Sequence, residues 1–148
     1  MSELNASRRP ASTAKVVRAV NRTRETVIAE RTEVADTAKL RNKGLLGRDS
    51  LAPGEGLWIV PCESVHTFWM RFAIDLIYLD RRSRIRKLRE AVPAWRLSAC
   101  LTAFSILELP AGAIRSSKSE VGDQVEFAEP DVAAETSERR LIDGAGDE

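Results

Sequence analysis

The side chains of this chain that could do chemistry are few and scattered. His66 is its one histidine. In an extended segment Cys62, Ser64 and His66 would share a face, because strand side chains alternate with a period of two. A thiol beside an imidazole could serve as nucleophile and base, or supply two ligands of a zinc site. Only Cys100 and acids such as Glu63 or Asp75 could complete such a site, and the spacing matches no metal signature. No metal and no cofactor is therefore expected, and the plain alternative is a surface loop carrying an incidental histidine.

Two carboxylates stand in apolar surroundings. Asp75 lies within the most apolar stretch of the chain, residues 65–80. An acid there must be exposed, paired or hydrogen-bonded, since a lone buried carboxylate is costly. Arg48 and Arg71 are its natural partners, in a structural ion pair or as a polar anchor in a cleft. Glu108, between Leu107 and Leu109, faces away from both if the segment is a strand. Were Asp75 and Glu108 close, they could do acid/base work as a pair. The remaining candidates are aromatic and basic. Trp58, Trp69 and Trp95 could pack in the core or line a binding surface beside Arg71. Arg81 to Arg89 holds six bases in nine residues, a patch that can touch phosphate but usually marks a solvated face.

The elements that must position these residues are mostly strands. Val16–Val20 and Thr26–Ala29 read as a hairpin across a short polar link. Asp36 suits the N-cap of a helix through Leu40, Leu45 and Leu46, with Gly47 as its stop. Gly44 inside that helix would cost about 1 kcal/mol against Ala. Pro53-Gly54-Glu55-Gly56 makes a turn before a strand over Leu57–Val60. Ile74–Leu79 reads as a buried strand, and Ile85–Val92 returns from a turn at Asp80–Arg84. Trp95–Phe104 is ambiguous between loop and short helix. Ser105–Leu109 and Gln124–Phe127 complete the set. The expected fold is a mainly-β α+β domain. It would be a compact small barrel or two packed sheets of six to seven short strands, with one or two short helices.

Composition sets the frame. The chain has 148 residues, 43% hydrophobic and 30% charged, which suits one globular domain with a single core. The expected layout is a disordered lead-in over 1–14, the domain over 15–128 and an acidic disordered tail over 129–148. That tail carries seven acids against two bases, net −5, so the remainder is +6 within an overall +1. The weak overall charge gives no strong pull towards nucleic acid or membrane. No apolar run is long enough to span a membrane, and the first residues lack the apolar core of a secretory signal. A cytoplasmic monomer with reduced thiols is expected.

Several segments carry a resemblance. They are Arg41-Asn42-Lys43-Gly44-Leu45-Leu46-Gly47-Arg48, Gly54-Glu55-Gly56-Leu57-Trp58, and the run from His66 through Phe68-Trp69-Met70-Arg71 to Asp80. Downstream come Val92-Pro93, Leu107-Glu108-Leu109-Pro110-Ala111-Gly112 and Gly122-Asp123-Gln124-Val125. In order and spacing they resemble the domain-of-unknown-function family 192, over residues 16–127. The resemblance implies a compact mixed β domain and supplies no activity and no catalytic residues.

The reading favoured by the residues is a non-catalytic binding or accessory domain with an aromatic and arginine cleft. Its candidate ligand-binding residues are Arg48, His66, Trp69, Arg71, Asp75 and Glu108, for a small molecule or a protein. The alternatives are a small hydrolase using Cys62 with His66, or Asp75 with Glu108, and weak nucleic-acid binding through the Arg81–Arg89 hairpin. Nucleic acid is not the expected partner.

Overall fold

A computed structural model describes residues 14–131. The expected lead-in and acidic tail lie almost wholly outside these residues. The chain opens with β1 (Val16–Asn21) and β2 (Thr26–Ala35), which pair antiparallel as a hairpin. Strand β2 runs six residues past the expected end at Ala29. Register shifts against β1 break its period-two pattern, so the polar Glu30, Arg31 and Glu33 hide a continuous strand.

Helix α1 (Ala38–Lys43) is shorter than expected and starts one residue later. Thr37, not Asp36, caps it: the Thr37 hydroxyl accepts from the Leu40 N–H at 3.2 Å. It ends at Gly44, whose φ of 46° leaves the helical region. Gly44 is therefore the stop rather than an interior residue, and Leu45 is released to pack in the core.

Then follow β3 (Glu55–Ile59), β4 (Ser64–His66), β5 (Ile74–Leu79), β6 (Ile85–Val92), β7 (Leu97–Ala99), β8 (Ser105–Pro110), α2 (Ala113–Ser116) and β9 (Val125–Ala128). The main sheet has seven strands in the order β6-β5-β8-β3-β2-β1-β9, and β4 pairs with β7 in a separate two-stranded sheet. The long sheet curls into a half-barrel. Its two edges meet at one end, where Arg84 bridges Gln124 and the Ile85 N–H donates to the Asp123 carbonyl at 2.9 Å.

Two cores lie on the two faces of the curled sheet. The inner one gathers Ala19, Ile28, Ile77, Leu79, Leu107, Leu109 and Val125, with Ile114 of α2 as a plug. The outer one gathers Leu57, Ile59, Ile74, Leu76, Tyr78 and Ile106 beneath Leu45, Leu51, Val65, Met70 and Phe72. Strand β5 contributes to both, which is why all six of its residues are buried and all but Asp75 are apolar. Between β2 and β8 the packing is tight enough to require glycine. A Cβ on Gly56 would stand 3.1 Å from Leu109 Cδ2 and 3.2 Å from Thr32 Oγ1. Among the described residues no helix is long and apolar enough to cross a membrane.

Candidate functional site

The two acids of the apolar strands do not meet. In the β5–β8 ladder Asp75 stands opposite Leu109 and Leu76 opposite Glu108. Residues opposite one another share a face, so Asp75 and Glu108 point to opposite sides of the sheet. Asp75 is fully buried and accepts three backbone N–H bonds, from Ala91 at 2.8 Å, Gly112 at 3.1 Å and Ile114 at 3.0 Å. It ties the irregular end of β6, where Ala91 has a φ of 47°, to the start of α2. Neither expected arginine is its partner. Arg48 is ion-paired with Glu33 at 2.8 Å, and Arg71 with Asp49. Three backbone amides on the inner face of the sheet take the place of the cation.

Glu108 shares the outer face with Leu57 and Leu76. It is 5% exposed, and its Oε2 finds no hydrogen-bond partner among the described residues. Burial pushes its carboxyl up to about 7, against a smaller downward pull from the Arg48 charge. Arg48 also lines a groove of about 630 Å³ between α1, the segment after it and strands β2 and β3, with Glu33, Lys43, Asp49 and Leu57.

The thiol and imidazole are not joined either. The Cys62 thiol donates to the Ser64 carbonyl at 3.1 Å, and burial pushes it above the usual thiol range. His66 is exposed and stacks on Phe68, with ring centroids 5.0 Å apart. Among the described residues no three His, Cys, Asp or Glu side chains are grouped so as to hold a metal ion.

The aromatic residues do come together. Phe68 lies 5.7 Å from Trp95, and Trp69 meets Trp95 edge-to-face at 4.6 Å. Five large hydrophobic side chains are exposed among the described residues: Trp69 at 74%, Trp95 at 53%, Leu97 at 73%, Leu101 at 83% and Val121 at 62%. The first four all belong to the β4–β7 pair or to the loops that continue it. On that pair Ser64, His66, Leu97 and Ala99 face out, while Val65 and Ser98 face the body. Tyr78 fastens the inner side, its hydroxyl 2.6 Å from Ser98 Oγ. Trp58 is different: it lies inside the half-barrel, stacked on Phe127 at 3.7 Å.

Both exposed tryptophans sit at a φ of 65°, a left-handed conformation that a bulky side chain rarely adopts. Buried Thr67 holds both. The Thr67 carbonyl accepts from the N–H groups of Met70 and Trp95, at 3.2 and 3.1 Å. The Thr67 hydroxyl donates to the Pro93 carbonyl at 2.6 Å and accepts from the Arg96 N–H at 2.9 Å.

The six candidates from the sequence thus fall in three places. His66 and Trp69 stand on the β4–β7 face, with Arg71 beside Trp69 in the chain. Arg48 lies in the α1 groove, with Glu108 buried near it. Asp75 is on the far face. Sequence reasoning missed Thr67, Trp95 as a neighbour of Trp69, and Leu97 and Leu101. The signal was the alternation Trp95-x-Leu97-x-Ala99-x-Leu101, in a stretch where loop and helix stayed open.

A profile of the family DUF192 (Uncharacterized ACR) matches residues 19–127, across the half-barrel and the β4–β7 pair. The chain belongs to this family. Among DUF192 relatives, a UPF0127 protein of Thermococcus sibiricus is 32% identical over 117 residues, 73% of each chain. A UPF0127 protein of Pyrococcus abyssi is 33% identical over 102 residues, 64% of this chain and 84% of its own. The fold recurs in a crystal structure of a protein of unknown function from Novosphingobium aromaticivorans. The TM-score is 0.69 at 22% identity, covering 80% of this chain and 89% of that one. A Sinorhizobium meliloti protein, provisionally named a transcription regulator, gives 0.66 at 20% identity, covering 76% and 92%. At those identities the two structures show a shared fold only.

Proposed function

We propose that this DUF192 protein is a non-catalytic binding module and that the outer face of the β4–β7 pair is its docking surface. One observation carries the reading. Four of the five large hydrophobic side chains exposed among the described residues lie on this pair or the loops that continue it, two of them tryptophans in a strained backbone conformation. A clustered apolar patch exposed to water costs free energy, and monomeric proteins rarely keep one without use. Backbone strain retained at exposed rings is a second mark of function. Tryptophans are also the side chains that most often anchor an interface. The test is a comparison of interactions. Every partner that the wild-type protein retains in solution is measured against the Trp69→Ala and Leu97→Ser variants. Loss of binding with unchanged unfolding supports the face as the docking surface, and an unchanged set of interactions would falsify it.

A second reading, a small hydrolase, is favoured by Glu108 alone, a buried acid whose carboxyl exchanges its proton near neutral pH. Of the partners considered for such chemistry, Asp75 is on the opposite face, and the Cys62 thiol, near enough to feel the Glu108 charge, donates to the Ser64 carbonyl and is pushed up rather than activated. The binding reading is therefore preferred. Hydrolysis of an ester or amide that is abolished in Glu108→Gln, with the fold intact, would reverse that preference.

A further inference from the structure

The charge around the docking face is one-sided. Arg81, Arg82, Arg84, Arg86, Lys87, Arg89 and Arg96 follow one another along the β5–β6 turn, β6 and the loop into β7. None of the seven is ion-paired with a carboxylate among the described residues. The pairs that form there use Arg18, Arg22, Arg24, Arg48 and Arg71 instead.

Four of the seven adjoin the apolar face along its length. Arg96 separates Trp95 from Leu97 at one end and is exposed. Lys87 reaches the middle, where its ammonium donates to the Ala99 carbonyl at 2.7 Å while lying 5.5 Å from the Tyr78 ring centroid. At the other end Arg81 and Arg82 share a hollow of about 510 Å³ with Leu101, Thr102 and Phe104. The Arg81 guanidinium lies 4.4 Å from the Phe104 ring centroid, which fixes its position without neutralising it. The acids nearby are few. Glu63 and Asp80 line the same hollow, and the Asp80 carboxylate accepts from the Arg82 and Arg84 N–H groups.

Resting on the docking face proposed above, we infer that its occupant is an extended peptide segment in which carboxylates flank apolar side chains. Apolar groups on alternate positions would cover Trp95, Leu97 and Leu101, which are exposed along the short strand β7 and the bends at its two ends. The intervening carboxylates would reach Arg96, Lys87, Arg81 and Arg82 at the rim. Unpaired arginines meeting carboxylates across a partly dry rim give charge-assisted bonds and steer the approach. Single-stranded nucleic acid also offers anions and rings. It accounts for the tryptophans and the cations but not for Leu97 and Leu101, which are aliphatic and as exposed as the tryptophans.

The experiment measures fluorescence anisotropy of the full chain with three labelled probes. They are a short peptide alternating Glu with Leu and Phe, the same peptide with Lys for Glu, and oligo(dT). The expected result is saturable binding of the acidic peptide, weakened about tenfold by added salt and by Arg81→Glu with Arg82→Glu. Binding is also lost in Leu97→Ser with Leu101→Ser. Equal binding of the Lys peptide would overturn the inference while leaving the docking face standing. Preference for oligo(dT) would overturn it in favour of nucleic acid. A concentration-dependent dimer in sedimentation that Leu97→Ser abolishes would assign the face to a second copy. Failure of all three probes would overturn the inference too, and the interaction comparison above would then judge the face by itself. The charge-reversed and serine variants alter exposed residues, so their unfolding transitions serve as the folding control.

Discussion

The Trp95 N–H donates to the Thr67 carbonyl at 3.1 Å, so the strand end that leads to Trp69 and the loop that bears Trp95 are held by one buried threonine. The side chain completes the clamp through Pro93 and Arg96. Thr67→Val keeps the shape and removes the hydroxyl, leaving one carbonyl and one N–H without their partner. We expect a loss of about 1–3 kcal/mol in urea unfolding and faster, less polarised tryptophan emission. Thr67→Ser should restore both. An unchanged emission in the valine variant would mean that the hydroxyl does not order the rings.

Strain at an exposed ring makes a distinctive prediction. A non-glycine residue in the left-handed region costs roughly 1–2 kcal/mol, and Trp69 has little burial to offset it at 74% exposure. Trp69→Gly should therefore unfold at the same or a higher denaturant concentration than wild type while losing binding. A large fall in stability would show that the ring is a structural support.

Asp75 is a structural residue in this account. Its carboxylate faces three N–H donors, and Asp75→Asn turns an amide N–H₂ towards at least one of them. The expected cost is at least about 2 kcal/mol. Hydrogen exchange should accelerate first at Ala91, Gly112 and Ile114. Retained stability with lost binding would instead make Asp75 a ligand anchor.

Glu108 sets a pH dependence. Burial raises its carboxyl from the ordinary 4.5 to about 7 in the folded chain. Below pH 4.5 both folded and unfolded forms hold the proton, so the group has no effect. Between 4.5 and 7 the folded form binds more protons, and stability falls as pH rises. The loss levels off above 7 at roughly 3 kcal/mol. Glu108→Gln should remove that slope and be the more stable protein at pH 8. Parallel pH profiles for the two proteins would show that Glu108 ionises as freely folded as unfolded.

Much of this fold was legible because pattern and position agreed. Ile74–Leu79, apolar but for Asp75, reads as a strand covered on both faces, and Pro110-Ala111-Gly112 ends another. The extension of β2 was hidden because Glu30 and Arg31 face solvent at a bulge, where alternation breaks. Helix α1 was overrun because Leu45 and Leu46 fit a helical period but follow a glycine at positive φ. The site was less legible. His66, Trp69 and Arg71 are neighbours in the chain, but the segment carrying Trp95 and Leu97 arrives through long-range pairing of β4 with β7, some 30 residues on. The opposite facing of Asp75 and Glu108 depends on the β5–β8 register, which no local pattern specifies.

The most direct test of the docking face uses the three indole N–H signals in a proton–nitrogen correlation spectrum, assigned with single Trp→Phe variants. On titration with the Glu peptide, the account predicts that the Trp69 and Trp95 signals shift together and saturate while that of Trp58, half-buried and stacked on Phe127, stays in place, and that the Lys peptide binds more weakly. Binding that moves the Trp58 signal, or leaves those of Trp69 and Trp95 unmoved, would contradict it.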